Sequence, residues 1–175
     1  MTDLLTKREN ASISKFVEQA GSEGYLRGRV LDYGCGKQPY RSLVQSFGAE
    51  YVGYDRDGFP ANQSGNVGDD RDVGRFDWNA ILCTQVVQYV PHVSLLLRGF
   101  YTDLSQERGH LVMTYPTNWP EVQDVDLWRF TKAGMERRLR DAGFTIVMHE
   151  RREVTSVMID PGYTMALGYG VVARA

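Results

Sequence analysis

Two short stretches of the chain carry acids and glycines in an arrangement suited to holding a nucleoside. One is Asp32-Tyr33-Gly34-Cys35-Gly36, at the end of a predicted strand; the other is Asp55, which ends the next strand. Gly34 and Gly36 let backbone approach a ligand closely, and the helix start that follows offers unpaired amide donors. A carboxylate at position 55 can accept both hydroxyls of a ribose. Dinucleotide binders place a third glycine beneath the pyrophosphate, whereas Gln38 and Pro39 stand here. Asp32 would also be a poor neighbour for phosphate, because two anions would share one cleft. These residues therefore predict a nucleoside-bearing ligand whose remainder is cationic rather than phosphate-rich. From Asp55 to Asp77 six acids face three bases, which suits that charge.

Further along, His92 follows Pro91 at a predicted helix start, where its imidazole could take a proton from a hydroxyl; a plain surface histidine is the other reading. Tyr115, Trp119, Asp124, Asp126, Trp128 and Arg129 fall in or beside a long loop, 115–130, expected to form a lid. Two tryptophans in an otherwise polar loop are costly to leave in water and point to a lid or an interface. Asp126 and Arg129 either take part in the chemistry or pair with each other and fasten the loop. No Cys/His pair has zinc-ligand spacing, so no metal is expected. Cys83 is expected to be a buried structural thiol, and His110 and His149 to be structural. From Arg129 to Arg152 seven bases face three acids, either a phosphate-recognising patch or a solvated helix face.

The elements that must position these residues follow from apolar spacing. Ile13, Phe16, Val17 and Ala20 predict a helix over 4–20, the end of an N-terminal helical lead-in, 1–27. A strand is expected at 29–33, then a helix through Tyr40, Leu43, Val44 and Phe47 with Pro39 in its first turn and Gly48 as its stop. A strand at 50–54 ends in the acid. Residues 55–77 read as loops with a short strand near 66–68. The apolar run 78–83 predicts a strand buried on both faces. A helix over 93–104, a strand at 110–114 and a helix capped by Thr131 and closed by Gly143 follow. Strands at 144–148 and 169–173 finish the chain as an antiparallel pair. The alternation predicts an α/β three-layer sandwich, with a mainly parallel seven-stranded sheet and an antiparallel C-terminal strand pair. Ligands in such sheets sit beyond the carboxyl ends of the strands where strand order reverses. That confines the chemistry to the loops after Tyr33, Tyr54, Gly68, Cys83 and Thr114.

The 175 residues make one domain, 1–175, with 42% hydrophobic and 24% charged positions, the composition of a soluble globular protein. A net charge of −2 excludes a strong nonspecific attraction to nucleic acid or an anionic membrane. No stretch approaches the length of a membrane span, and the charged first twenty residues predict no signal peptide. Two cysteines fit reduced thiols in a cytoplasm. A homodimer would be the commonest closed assembly.

Over about residues 28 to 150 these motifs, in this order, resemble the class I S-adenosylmethionine-dependent methyltransferases, in particular their "methyltransferase domain 11"-like branch. The resemblance implies a Rossmann-like fold and S-adenosyl-L-methionine as cofactor. Asp32-Tyr33-Gly34-Cys35-Gly36 is similar to the first motif, whose turn cradles the methionine part. Tyr51-Val52-Gly53-Tyr54-Asp55 is similar to the second, which implies Asp55 as the ribose ligand with Arg56 beside it. Gly68-Asp69, with Asp70, resembles the loop that approaches the adenine amino group. The run from Ile81 to Pro91 is similar to the fourth strand and its edge of the cofactor pocket, which implies roles for Thr84 and Gln85. Trp128-Arg129-Phe130-Thr131 and Ala142-Gly143-Phe144 resemble the late segment of the family.

Departures from the family pattern bear on function. Relatives often carry a Glu-His pair after the fourth strand, where Gln88-Tyr89 stands here, so no catalytic histidine is carried over at that place. Leu82 precedes Cys83 where cytosine-carbon methylating enzymes have a Pro-Cys pair. Cys83-Thr84-Gln85-Val86 stands in place of the Asn/Asp-Pro-Pro-aromatic signature of nucleobase amino methylation. A small-molecule or sugar-linked acceptor is thus expected rather than nucleic acid, with His92, Tyr115, Asp126 and Arg129 as candidate chemical residues and positioning as the main source of rate. Two other readings stay open. The missing Glu-His pair and the short chain would suit a non-catalytic relative that kept the fold as a binding module. An NAD(P)-dependent oxidoreductase is disfavoured by Pro39 and Asp32.

Overall fold

The computed structural model of the chain describes residues 2–55, 63–64, 78–104, 109–118, 125–155 and 165–175. Its elements run α1 (Thr2–Ser22), β1 (Arg29–Tyr33), α2 (Arg41–Ser46), β2 (Glu50–Asp55), β3 (Gln63–Ser64), β4 (Ala80–Thr84), a 3-10 turn at Val87–Tyr89, α3 (Val93–Asp103), β5 (His110–Pro116), α4 (Lys132–Ala142), β6 (Thr145–Thr155) and β7 (Met165–Arg174). The seven strands form one sheet in the order β3-β2-β1-β4-β5-β7-β6. β1 pairs parallel with both β2 and β4, and β4 with β5. β7 runs antiparallel to β5 and to β6, so a single strand is reversed. The chain leaves β1 toward β2 on one side and β4 on the other, and the reversal of strand order therefore lies over the carboxyl ends of β1 and β4.

Alternation along the central strands explains the two packed layers. Val30, Ala80, Leu82, Val112 and Val172 face α1 and α2, joined by Ile13, Phe16, Val17 and Ala20 of α1. Leu31, Tyr33, Ile81, Cys83, Leu111, Met113 and Tyr115 face α3 and α4, joined by Leu96, Leu97, Phe100, Met135 and Leu139. Central strands covered on both sides have no polar face, as the continuous run Ala80–Thr84 requires. At α4 the Thr131 side chain accepts from the Gly134 amide at 3.1 Å, and Gly143 takes the left-handed conformation, φ 109°, that ends the helix.

Differences from the expected elements are local. Pro39 precedes the helix instead of opening it: Gln38 adopts φ 57°, which turns the chain so that Tyr40 becomes the N-cap of a six-residue α2. Trp78 lies outside β4, in an isolated bridge to Leu104, and is fully buried. The final strands are longer than 144–148 and 169–173. They pair on through Arg152 with Gly168 to Thr155 with Met165. β6 is the sheet's edge, where solvent faces one side and pairing continues although the apolar run has stopped. The strand expected at 66–68 lies outside the described residues. Among the described residues no helix is long and apolar enough to cross a membrane.

Candidate functional site

The loop after β1 folds back onto the end of β2. The Gly34 and Cys35 amides donate to the Tyr54 carbonyl at 2.8 and 3.1 Å. The Gly36 amide donates to Asp55 Oδ2 at 2.6 Å. Gly34 has φ +75°, and a Cβ there would run into the Val86 side chain behind β4; only glycine lets the loop lie this close to the neighbouring turn. The glycine bend and the acid ending β2 therefore meet at one point. A carboxylate oriented by a charge-assisted bond retains capacity for further donors, since its two oxygens offer about four lone-pair sites.

The place of Asp32 in the motif suits it to organise the first loop, either through the loop amides or through the amino group of the cofactor, and its contacts depart from the first of these. Its side chain turns into the α1–α2 layer, where Oδ2 accepts from the Tyr51 hydroxyl at 2.6 Å, and no loop amide bonds to it among the described residues. Tyr51 sits two residues before Gly53, the register partner of Asp32, and so shares its sheet face. Asp32 is fully buried and Oδ1 has no partner. Burial pushes its carboxyl up to about 7, against the Tyr51 bond and with help from Asp55. Loop organisation falls to Asp55, through Gly36.

The other motif residues are placed as follows. Tyr33 is buried: its ring stacks on Tyr54 at 5.4 Å and meets Phe100 edge-on in the core. Cys35 is buried, and its thiol is pushed up to about 12 by burial and by Asp32 and Asp55, so it stays protonated. Cys83 is wholly buried and likewise pushed up, as a structural thiol should be. Thr84 is half-buried and hydrogen-bonds to the Tyr40 side chain. Gln85 has φ 56°, an uncommon conformation for a residue with a side chain, held by its amide on the Thr114 carbonyl at 3.0 Å and its Nε2 on Thr114 Oγ1 at 3.2 Å. Arg56, Asp69, Asp70, Trp119 and Asp124 lie outside the described residues.

The expected lid is stitched to the turn after β4. Leu127 donates its amide to the Gln88 carbonyl at 2.8 Å, and Trp128 Nε1 donates to the Val90 carbonyl at 2.8 Å. Asp126 and Arg129 pair at 2.6 Å, the fastening reading of those two residues. Tyr115 is turned away from the cofactor edge. It is buried in the α3–α4 layer with its hydroxyl 2.7 Å from His149 Nε2, while His149 Nδ1 lies 3.0 Å from Glu136. Burial lowers the His149 imidazole below its usual value against the pull of Glu136. His92 is exposed at the N-cap of α3, beside a groove that includes Trp128 and Arg138. No group of His, Cys, Asp and Glu suited to a metal ion occurs among the described residues.

Sequence reading missed Glu9, Ser12 and Arg152, buried polar residues that meet under α1. Arg152 Nη2 lies 2.8 Å from Glu9 Oε1. The guanidinium also donates to Ser12 Oγ and to the Tyr115 and Tyr169 carbonyls, each at 3.2 Å. Their separation along the chain hid them; an acid on a helix that otherwise buries an apolar stripe was the available signal.

With this geometry in view, comparison with known proteins defines the class. A family model described as "Methyltransferase domain" matches residues 5–149. The chain belongs to that methyltransferase family, and the match reaches back into α1. Among solved structures, a SAM-dependent methyltransferase from Archaeoglobus fulgidus aligns at TM-score 0.73 and 16% identity, covering 96% of this chain and 94% of that one. A 1,6-didemethyltoxoflavin-N1-methyltransferase from Burkholderia thailandensis, with bound S-adenosylhomocysteine, aligns at 0.69 and 15% identity, covering 99% and 85%. The magnesium protoporphyrin IX methyltransferase of Synechocystis, with bound SAM, aligns at 0.67 and 16%, covering 96% and 82%. No curated protein sequence matches the chain. The cofactor of this class is S-adenosyl-L-methionine. The residues present fit it: an acid held at the end of β2 by the Gly36 amide, glycine backbone beside it, and a buried unpartnered carboxyl oxygen at Asp32.

Proposed function

We propose that the chain transfers the methyl group of S-adenosyl-L-methionine to a small-molecule acceptor. Asp55 and the 34–36 loop hold the nucleoside, and the 125–130 segment covers the neighbouring edge. The observation that carries the reading is the 2.6 Å bond from the Gly36 amide to Asp55, because it joins the two halves of a nucleoside site. When bound, the cofactor supplies a methyl group on a positively charged sulfur, which an aligned nucleophile displaces in line. Asp55, oriented by Gly36, accepts the ribose hydroxyls. The Asp55 carboxyl at the loop favours a sulfonium over a phosphate as its neighbour. The bonds from Leu127 and Trp128 to the turn after β4 keep water from that edge. His92, exposed at the start of α3, is the candidate base for an acceptor hydroxyl, and Asp126 and Arg129 hold the lid. Two neighbours of the same fold are methyltransferases named for toxoflavin and magnesium protoporphyrin substrates, which supports a small-molecule acceptor. Two free, protonated thiols suit a reducing cytoplasm.

Calorimetry with S-adenosylhomocysteine tests the reading. Asp55→Ala removes the charged acceptor of two ribose hydroxyls and should weaken binding by at least about 100-fold. Equal affinity in the variant would remove the assignment of Asp55. Binding of NADPH without S-adenosylhomocysteine would favour an oxidoreductase, and cofactor binding without methyl transfer to any acceptor pool would favour a binding module.

A further inference from the structure

Buried acceptor oxygens need donors, and beneath α1 two of them have none among the described residues. Glu9 is 6% exposed and its Oε2 has no partner; Asp32 is 0% exposed and its Oδ1 has none. Tyr40 belongs with both. Its hydroxyl hydrogen-bonds to Thr84, and it feels the charges of Asp32, Arg152 and Glu9 together. The compartment thus runs along the α1–α2 side of the sheet from the end of β1 to Arg152. Arg152 pairs with Gly168, which in turn pairs with Pro116 at the carboxyl end of β5.

The guanidinium that serves Glu9 is already drawn to other acceptors. Arg152 directs Nε to the Tyr169 carbonyl, Nη1 to Ser12 and Nη2 to the Tyr115 carbonyl, with Glu9 Oε1 beside it. The Ser12 hydroxyl donates to the Glu9 backbone carbonyl at 2.8 Å, so it cannot serve the Glu9 side chain. Glu9 Oε1 faces the guanidinium and Asp32 Oδ2 the Tyr51 hydroxyl, and the second oxygen of each carboxyl is left without a donor among the described residues. A buried acceptor left unmet is costly unless a ligand completes it.

We propose that Glu9, with Tyr40 and Thr84 between it and Asp32, is the subsite that receives the hydrogen-bond-donating end of the acceptor, an amino or hydroxyl group. The inference rests on the methyltransferase reading and names the acceptor chemistry of that site. α1, matched as part of the family domain, then supplies a recognition residue as well as packing. Carbon acceptors and fully substituted nitrogens or oxygens would be rejected, because they leave Glu9 Oε2 buried and unmet.

The test uses the full chain saturated with S-adenosylhomocysteine and two matched probe pairs, followed by ligand-observed NMR titration. Benzylamine is compared with benzyltrimethylammonium, which keeps the charge and loses the donors; catechol is compared with 1,2-dimethoxybenzene. At least one donor probe should bind about tenfold more tightly than its methylated partner, the worth of one hydrogen bond to a charged group. Glu9→Gln should reduce that preference to less than about threefold while S-adenosylhomocysteine affinity stays within about twofold. The pair that discriminates tells amine from hydroxyl. Equal binding within both pairs, no donor binding at all, or an unchanged preference in a folded Glu9→Gln variant would overturn the subsite. The comparison within each pair on the unaltered chain stands even if the variant does not fold. Failure to bind S-adenosylhomocysteine would instead sink the methyltransferase reading, and the same pairs titrated without it would still judge Glu9.

Discussion

Replacing Asp32 by Asn should change how stability depends on pH. The wild-type carboxyl is fully buried, and its pKa is raised from 3.8 to about 7, chiefly by burial. A folded carboxyl that holds its proton more tightly than the unfolded chain contributes most stability below the unfolded value. That contribution is lost as pH climbs through the folded one. At about 1.4 kcal/mol per tenfold change in proton affinity the full span is on the order of 4 kcal/mol, of which roughly 3 kcal/mol falls between pH 5 and pH 8. Asn keeps an oxygen for the Tyr51 hydroxyl and cannot ionise, so this part of the slope disappears. Its amide hydrogens face the unpartnered side and cost about 1–3 kcal/mol at every pH, so the difference in slope is diagnostic, not the absolute stability. Urea unfolding followed by tryptophan fluorescence at pH 5, 6, 7 and 8 gives both curves, and taking their difference cancels the opposing contribution of His149, whose lowered imidazole loses stability as pH falls. Parallel curves for wild type and variant would refute the picture of a buried carboxyl beside Tyr51.

Gly34→Ala puts a side chain at φ +75° against Val86 and should cost about 1–3 kcal/mol in folding while weakening S-adenosylhomocysteine binding; calorimetry alongside denaturation would separate the two effects. Arg152→Met strands the Glu9 carboxylate in a buried site and should lower stability by about 3–5 kcal/mol, with Glu9→Gln added on top recovering part of the loss. Gly168→Ala would press a methyl group on both the Arg152 guanidinium and the Tyr115 carbonyl, so its melting temperature should also drop, and an unchanged value would question the path of Arg152 over β7.

The parts of the fold legible in the sequence were those written locally. Strand β1 and the Thr131 and Gly143 ends of α4 follow from short-range rules, since a cap or a left-handed glycine acts within one turn. The nearness of Asp55 to the first loop was legible for the same reason: an acid ending the second strand is close to the first loop in any parallel βαβ unit. The side-chain role of Asp32 was not, because it depends on a diagonal partner, Tyr51, on the neighbouring strand. Arg152 and Glu9 are 143 positions apart and meet only once β6 and β7 have turned back along β5. Tyr115 looked chemical from its place at the end of β5, yet strand alternation turns its ring into the α3–α4 layer, where its hydroxyl meets His149 of β6, itself bonded to Glu136 of α4. The length of β6 escaped notice since an edge strand can be polar and still pair.

A crystal structure of the chain with S-adenosylhomocysteine bears most directly on the central claim. The ribose hydroxyls should lie within hydrogen-bond distance of the Asp55 carboxylate, with the homocysteine portion against the Gly34–Gly36 backbone. Adenosine density away from Asp55, or a Gly36–Asp55 contact that remains with no ligand beside it, would contradict the account.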